Sequence, residues 1–215
     1  MFSRGNEAQP IAYSWILTQL SSMTIDHDKR RRDIAGITID LIAREGLQAT
    51  TIRRIAGEAG VSTTAITHYF VDKQELLIWA FEVLAAEGET RFNEALGHDP
   101  SDVIGALLTM VPWCPANVRR WKAYLAFWDE AARNTELALL LAQGTKVGTK
   151  YLQQLLRSKT GAQADLEKAG QLLNAVIQGR ALQMLVDQVN WSEDKIRSVL
   201  KEAFDVALMT TDLKA

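Results

Sequence analysis

The sequence predicts an all-α protein, and three observations carry that prediction. Apolar residues recur at helical spacing over most of the chain. No sustained apolar/polar alternation and no Asn-Gly or Asp-Gly pair signals a hairpin. The 215 residues contain only four prolines, Pro10, Pro100, Pro112 and Pro115, and the thirteen glycines mostly fall between periodic stretches.

Residues 1–27 are polar and weakly patterned, which predicts a loose extension with at most a short helix around Ile11–Leu20. The first clear helix is expected from about Asp28 to Glu45, where Ile34, Ile37, Leu41 and Ile42 form one stripe. Gly46 follows as a residue free to adopt positive φ. A short helix spans about Thr51 to Ala59, with Thr51 as cap and Ile52, Ile55 and Ala56 inward. After Gly60-Val61, Ser62 is a good N-cap for a third helix ending near Tyr69. Val61 and Ile66 have the hydrophobic-staple spacing. Asp72 and Glu75 then stand at N-cap and N3 of a long fourth helix, with Val71 and Leu76 as a second staple. This helix is predicted to bury Leu76, Leu77, Ala80, Phe81 and Leu84 and to reach about Leu96.

Further helices are expected near 101–111, 116–133, 135–158, 164–189 and 193–211, with Thr135 and Ser192 as caps. Pro112 and Pro115 separate the first two of these. Leu172, Leu173, Val176 and Ile177 stripe one of the last two helices. Ile196, Val199, Leu200, Ala203, Phe204 and Leu208 stripe the other. These stripes are longer than one small bundle needs, which predicts that the last two helices pair with their symmetry mates in a homodimer.

Composition narrows the function. Apolar residues make up 47% of the chain and the formal charge is -2, so bulk charge indicates no polyanion partner. One cysteine, Cys114, allows neither an intrachain disulfide nor a cysteine-based zinc site. No apolar run approaches the ~20 residues of a membrane span, and the first 23 residues do not read as a secretory signal, so a cytoplasmic protein is expected. Catalytic, cofactor and metal motifs are not found. His27, His68 and His98 are scattered, and Asp129-Glu130 diverge on a helix. The segment Gly144–Lys150 lacks phosphate-loop spacing and reads as a helix with Gly144 and Gly148 on one face.

Two short helices joined by a Gly-containing three-residue turn form a helix-turn-helix over 51–70. The first helix of such a pair crosses the DNA backbone, and the second places its N-terminal residues in the major groove. Thr63, Thr64, Thr67 and His68 supply a polar, unencumbered outer face. Threonine serves a base edge, a thymine methyl or a phosphate. Local charge agrees: from Lys29 to Lys73 eight cations stand against five anions. The run Lys29–Arg32 sits at a helix start, the wrong end for the macrodipole. It is either a solvated face or a set of phosphate contacts.

The stretch Thr51–Ser62, then Ile66-Thr67-His68-Tyr69-Phe70, then Lys73-Gln74-Glu75-Leu76-Leu77, resembles the DNA-binding domain of TetR-family transcriptional regulators. That resemblance implies an all-α homodimer with an N-terminal helix-turn-helix domain and a C-terminal effector-binding and dimerisation domain. It also implies repression at a palindromic double-stranded operator, relieved by a small molecule. Where the family often has tyrosine, Thr67 stands here. The segment Trp121–Trp128 is similar to the corresponding helix of the BetI-type, choline-responsive repressors within the family, which implies a quaternary amine as effector. Gln178-Gly179-Arg180-Ala181 departs from their Asp-Gly-Leu-Trp-like segment.

The expected organisation is an extension over 1–27, a DNA-binding domain over 28–88 and an effector and dimerisation domain over 89–215. The expected DNA contacts are Arg31, Thr51, Arg53, Ser62, Thr63, Thr64, Thr67, His68, Tyr69 and Lys73. His68 is either DNA-facing or a buried, hydrogen-bonded histidine, and Tyr69 divides between core and phosphate. Trp113, Trp121, Tyr124 and Trp128, with Gln178, are either core or an aromatic pocket for a cationic ligand. The rival function is an all-α adaptor that binds a partner protein and carries a vestigial helix-turn-helix.

Overall fold

The computed structural model describes residues 25–160, 166–187 and 189–211. In chain order the described helices are α1 (Ile25–Glu45), α2 (Ile52–Glu58), α3 (Thr63–Tyr69), α4 (Lys73–His98), α5 (Val103–Leu108), α6 (Pro115–Ala131), α7 (Thr135–Arg157), α8 (Leu166–Val186) and α9 (Glu193–Thr210). No strand occurs among the described residues, and none of their helices is long and apolar enough to cross a membrane.

The local signals act largely as the sequence predicts. Gly46 and Gly60 both hold positive φ, +80° and +65°, where a side chain would be strained. Thr51, Ser62, Asp72 and Ser192 each accept a backbone N–H at a helix start. Val61 packs with Ile66 in one cluster, as a staple requires.

Five expectations need correction. Helix α1 begins at Ile25, not Asp28: the His27 ring packs 4.8 Å from Tyr69 and Asp28 is buried, so tertiary contact extends the helix backward. The helix expected at Ile11–Leu20 lies outside the described residues. Val71 does not staple α4, because it is 86% exposed. Its N–H instead donates to the Glu75 carboxylate at 2.6 Å, while the Glu75 N–H donates to Asp72 at 2.8 Å. This reciprocal polar cap fills the staple's place. Asn134, not Thr135, caps α7; its backbone is still extended and its side chain accepts the Leu137 N–H.

Helix α5 covers only 103–108 of the expected 101–111. Asp102 caps it by accepting the Gly105 N–H, so Ser101 lies outside. Past Leu108 the chain tightens into i→i+3 bonds from Thr109, Met110 and Val111. The carbonyls of this turn converge on one side chain. The Asn117 amide donates to Leu108, Thr109 and Val111 at 3.0–3.4 Å, and its oxygen accepts from Arg91 at 2.9 Å. Asn117 is only 3% exposed.

The fifth correction concerns the C-terminal stripes. Ile196, Leu200 and Phe204 are buried within the protomer, so their stripe fills its own core. The apolar residues left outside on these two helices are Leu172, Leu182, Val186, Val206 and Met209.

Three apolar cores follow one another along the molecule. The first joins α1 to α4 through Ile34, Leu41, Ile55, Ile66, Phe70 and Leu76. The second joins α1 and α4 to α6 and α7 through Ile39, Ile42, Phe81, Leu84, Phe127 and Leu137. The third lies among α4 to α9 and contains Phe92, Leu107, Leu156, Ile177 and Phe204. Helix α4 serves all three and runs unbroken through residue 88.

Replacing Asn117 by Ala should leave the Thr109 carbonyl and the Arg91 guanidinium without their partner, each costing about 1–3 kcal/mol. The urea midpoint should fall by an amount equivalent to at least about 2 kcal/mol at an unchanged slope. A midpoint equal to wild type would mean that these groups find water instead.

Candidate functional site

The recognition helix is held from below and open above. Ile66 of α3 is fully buried and Phe70 nearly so, against Leu41, Ile55 and Leu76. Ser62 accepts the Ala65 N–H at 3.1 Å and fixes the first turn. Thr63, Thr64, Thr67 and His68 are all exposed on this short helix, as is Arg53 on α2. Thr67 donates its hydroxyl to the Thr64 carbonyl at 3.1 Å, which orients its methyl and oxygen. Tyr69 is half-buried and rests edge-on against His68, with ring centroids 5.3 Å apart. His68 is therefore outside the core, and Tyr69 is shared between core and surface.

The cations of this region divide into two groups. Arg44 and Arg54 are tied to Glu45 and Glu58 in a four-residue network, with N–O distances of 2.6–3.0 Å for the close pairs. Hydrogen bonds from Arg54 and Arg44 hold the Glu45 and Glu58 carboxyls below their usual range. The network is neutral overall and exposes little net field. Arg31 is likewise engaged. Its guanidinium pairs with Glu75 at 2.7 Å and lies 4.7 Å from the Phe70 ring centroid and 4.3 Å from that of Trp79. Only 12% of its side chain is exposed. Lys73 is half-buried and donates to the Leu47 carbonyl at 3.3 Å. Arg30, Arg32 and Arg53 are exposed and form no ion pair among the described residues. Thr51 spends its hydroxyl on the α2 cap, accepting from the Arg54 N–H at 3.1 Å.

A second site lies between α4, α6, α7 and α8: a cavity of about 170 Å³. Three of the five pocket residues expected from sequence line it, namely Trp121, Tyr124 and Gln178. Trp128 does not: it lies two turns, about 11 Å, along α6 from Trp121 and touches the site only through Tyr124. Trp113 precedes α6 and borders a different depression, of about 790 Å³, with Cys114 and Trp191. Phe81, Phe92 and Tyr151 complete the aromatic wall, and Gly144 and Gly148 line it where the sequence placed them on one face.

Apart from Gln178, the sequence did not point to the polar groups of the cavity. The Tyr151 hydroxyl donates to Glu89. Asn174 donates to Thr149 at 2.9 Å and accepts from Gln178 at 3.3 Å. Arg120 reaches the wall beside Gly88, so closely that a Cβ there would stand 2.1 Å from its Nη2. Burial, and then the neighbouring Arg91 and Arg119, push the Arg120 guanidinium down to about 10. The adjacent Arg119 faces the other way. It donates to Asp40 and to the Gly36 carbonyl of α1, and approaches Glu87 at 3.7 Å. The sequence signal available for Arg120 was a pair of adjacent arginines one turn into α6.

Residues 37–78 match the family described as bacterial regulatory proteins, tetR family, and residues 105–208 match the C-terminal region of BetI-type transcriptional repressors. The chain is 31% identical over 185 residues to the HTH-type transcriptional regulator PksA of Bacillus subtilis, covering 83% of this chain and 89% of that protein. The chain belongs to the tetR family.

Among other family relatives, the BetI regulator of Vibrio parahaemolyticus is 27% identical over 186 residues, covering 83% of this chain and 92% of that protein. A transcriptional regulator from Rhodococcus sp. superposes with a TM-score of 0.74 at 24% identity, over 86% of this chain and 99% of that one. A regulator from Saccharomonospora viridis, solved in complex with choline, superposes with a TM-score of 0.69 at 25% identity, over 83% and 96%. As a tetR-family member the chain is a DNA-binding transcriptional regulator, and the adaptor reading gives way to that.

Arg31 and Arg53 should separate experimentally. Arg31→Ala removes a charge-assisted pair and two ring contacts, and should destabilise the protein by about 2 kcal/mol. Arg53→Ala should leave the melting temperature within a degree and reduce the slope of log K against log salt by about 0.9 per subunit. An unchanged slope for Arg53→Ala would remove it from the phosphate contacts.

Proposed function

We propose that this regulator is a homodimeric repressor. It holds a palindromic operator through two copies of α3 and releases it when a small molecule enters the cavity between α4, α6, α7 and α8. The observation that carries the DNA half is the recognition helix: a capped seven-residue helix, anchored by Ile66, with Thr63, Thr64, Thr67 and His68 outward. In this reading residues 28–88 form the DNA-binding part and 89–215 the effector and dimerisation part, with the protein acting in the cytoplasm. Thr63, Thr64 and Thr67 read base edges. Arg53, Lys73 and the Thr51 and Ser62 caps address the backbone, joined by His68 and Tyr69. Arg31 acts one step back, by seating Phe70 and the start of α4.

The effector half is supported by the cavity's makeup. A concave site with aromatic walls and a few convergent polar groups is what small-molecule recognition needs. Helix α4 contributes Phe81, Leu84, Ala85, Gly88, Glu89 and Phe92 to that wall. Its first residue stands four positions after Tyr69, the last residue of α3. A tilt of α4 caused by an occupant therefore moves α3. Only an effector that prefers the tilted state shifts the equilibrium. The rings would suit the quaternary amine implied by the resemblance, and the Saccharomonospora relative was solved with choline, but Arg120 at the wall speaks against a ligand that is only cationic. Trp121 is the optical reporter for any occupant.

Dimerisation is assigned to α8 and α9. Leu172, Leu182, Val186, Val206 and Met209 form the exposed apolar surface of these helices, and an isologous two-fold contact covers such a surface on both copies. The two recognition helices then meet half-sites one helical turn, about 34 Å, apart.

Thr63→Ala, Thr64→Ala and Thr67→Ala should each alter sequence preference, at about 1–3 kcal/mol per base contact, with the fold intact. Equal losses on specific and random duplexes would show that these residues only position the backbone. The double change Leu182→Asp with Val206→Asp should give folded monomers by sedimentation and abolish operator binding. Phe204→Asp, at a buried position, should unfold the protomer instead. A wild-type monomer at micromolar concentration would end the dimer reading.

A further inference from the structure

The cavity is not electrically neutral in its pairing. Two ionised side chains reach its wall, Glu89 and Arg120. Glu89 is satisfied by the Tyr151 hydroxyl. Arg120 is not satisfied. Among the described residues no carboxylate lies within ion-pair distance of it, although Arg119 beside it pairs with Asp40 and approaches Glu87. Its Nε is buried without a partner. Its one recorded hydrogen bond is a long one, 3.4 Å from Nη2 to the Leu84 carbonyl. Arg91, the next cation in the neighbourhood, is already engaged with Asn117.

A buried guanidinium whose nearby carboxylate, Glu87, acts on it only from beyond ion-pair distance is costly to keep, because taking a charge out of water is repaid only by a partner and good hydrogen bonds. The fold nevertheless makes room for it. Gly88 on α4 carries no Cβ where the guanidinium rests, and Tyr124, one turn on along α6, brings a ring to the same wall. The planar fork of Arg120 has N–H groups to spare, and its geometry matches a carboxylate. A purely cationic ligand would meet a like charge at the Arg120 end of the wall, which Glu87 offsets only from a distance.

We propose that the effector carries an anionic group, of the carboxylate class, that pairs with Arg120, while its apolar body lies against Trp121, Tyr124 and Phe81. This rests on the reading of the cavity as the effector site. The unmatched charge is then the specificity element: the free protein holds it at a cost in stability, and the ligand's carboxylate completes the pair.

The test uses the full-length protein with benzoate and phenylacetate as anionic probes. Benzamide and phenylacetamide are the neutral isosteres, choline is the cation, and ionic strength is held constant. Thermal melting and tryptophan fluorescence are read. At least one acid at 10 mM should raise the melting temperature and quench fluorescence, with its amide at least tenfold weaker. Arg120→Met should abolish the preference for acid over amide, and Arg120→Lys should retain part of it. Without ligand, Arg120→Met should melt no lower than wild type, since it removes an unpaired buried charge. A merely structural arginine would instead lower it.

The anion assignment is overturned if neither acid binds, if acid and amide bind alike, or if choline alone binds. An Arg120→Met variant that keeps the wild-type acid preference overturns it too. Gly148→Leu tests the cavity separately, because a Cβ at Gly148 meets open space and a larger side chain fills it. Acid binding that is lost in Arg120→Met but persists in Gly148→Leu would keep the anion contact and reject the cavity as its seat.

Discussion

The architecture depends on one continuous helix. Helix α4 has 26 residues, about 39 Å at 1.5 Å per residue, and it contributes to each of the three cores. Leu76 closes the core beneath the recognition helix, Phe81 and Leu84 bind the middle one, and Phe92 enters the last. Packed interiors transmit displacement because they have few voids to absorb it. A strut fixed in three cores cannot be disturbed at one end without consequence at the other. The cavity opens beside the middle of this strut, where Gly88 thins its wall.

What holds the strut to the DNA-binding helices is a small polar junction. One Glu75 oxygen accepts from Arg31 of α1 and the other from the Val71 N–H, while Glu75's own N–H donates to Asp72. Three elements thus meet at a single carboxylate. The same junction explains why local positive charge overstates the DNA-facing charge. Arg31, Arg44 and Arg54 are consumed in fixing α1, α2 and α4 to each other. Arg30, Arg32 and Arg53 form no ion pair among the described residues, and all three are exposed. Exposed cations are the ones whose phosphate contacts release counterions.

The fold was legible in the sequence mostly where the deciding interaction is local, the Asn134 cap of α7 being a local signal that was read one residue late. Helix starts at Thr51, Ser62, Asp72 and Ser192 are set by a side chain three residues from its target, and the positive φ of Gly46 and Gly60 is a property of those residues alone. The helix-turn-helix followed from such signals. Other misreadings occur where a distant residue decides. Asn117 ends α5 from nine residues away, His27 extends α1 by packing on Tyr69, and Glu75 displaces the Val71 staple with help from Arg31. The aromatic wall was half legible, because a ring's helical position is readable but its neighbours are not. Trp121 and Trp128 share a face of α6, yet only one of them reaches the cavity. The unmatched charge of Arg120 was illegible, since being unpaired is a property of everything around it.

Residues 119 and 120 give α6 two charged side chains in succession with opposite duties. Successive residues on a helix project about 100° apart, so Arg119 grips Asp40 and Gly36 on α1 while Arg120 reaches the cavity wall. An occupant that pulls on Arg120 therefore rotates or shifts the same turn of α6 that holds α1. The energetics limit how much this contact does alone. Driving a two-state switch from about 1:99 to 99:1 requires roughly 5.5 kcal/mol of differential affinity. A charge-assisted hydrogen bond contributes about 1.5–3 kcal/mol. One carboxylate on Arg120 therefore falls short, and the remainder must come from apolar area that is buried better in one arrangement than in the other. The rings of Trp121, Tyr124 and Phe81 supply that area on both α4 and α6. Charge selects which ligand enters, and the fit of its body between the two helices determines how far they move.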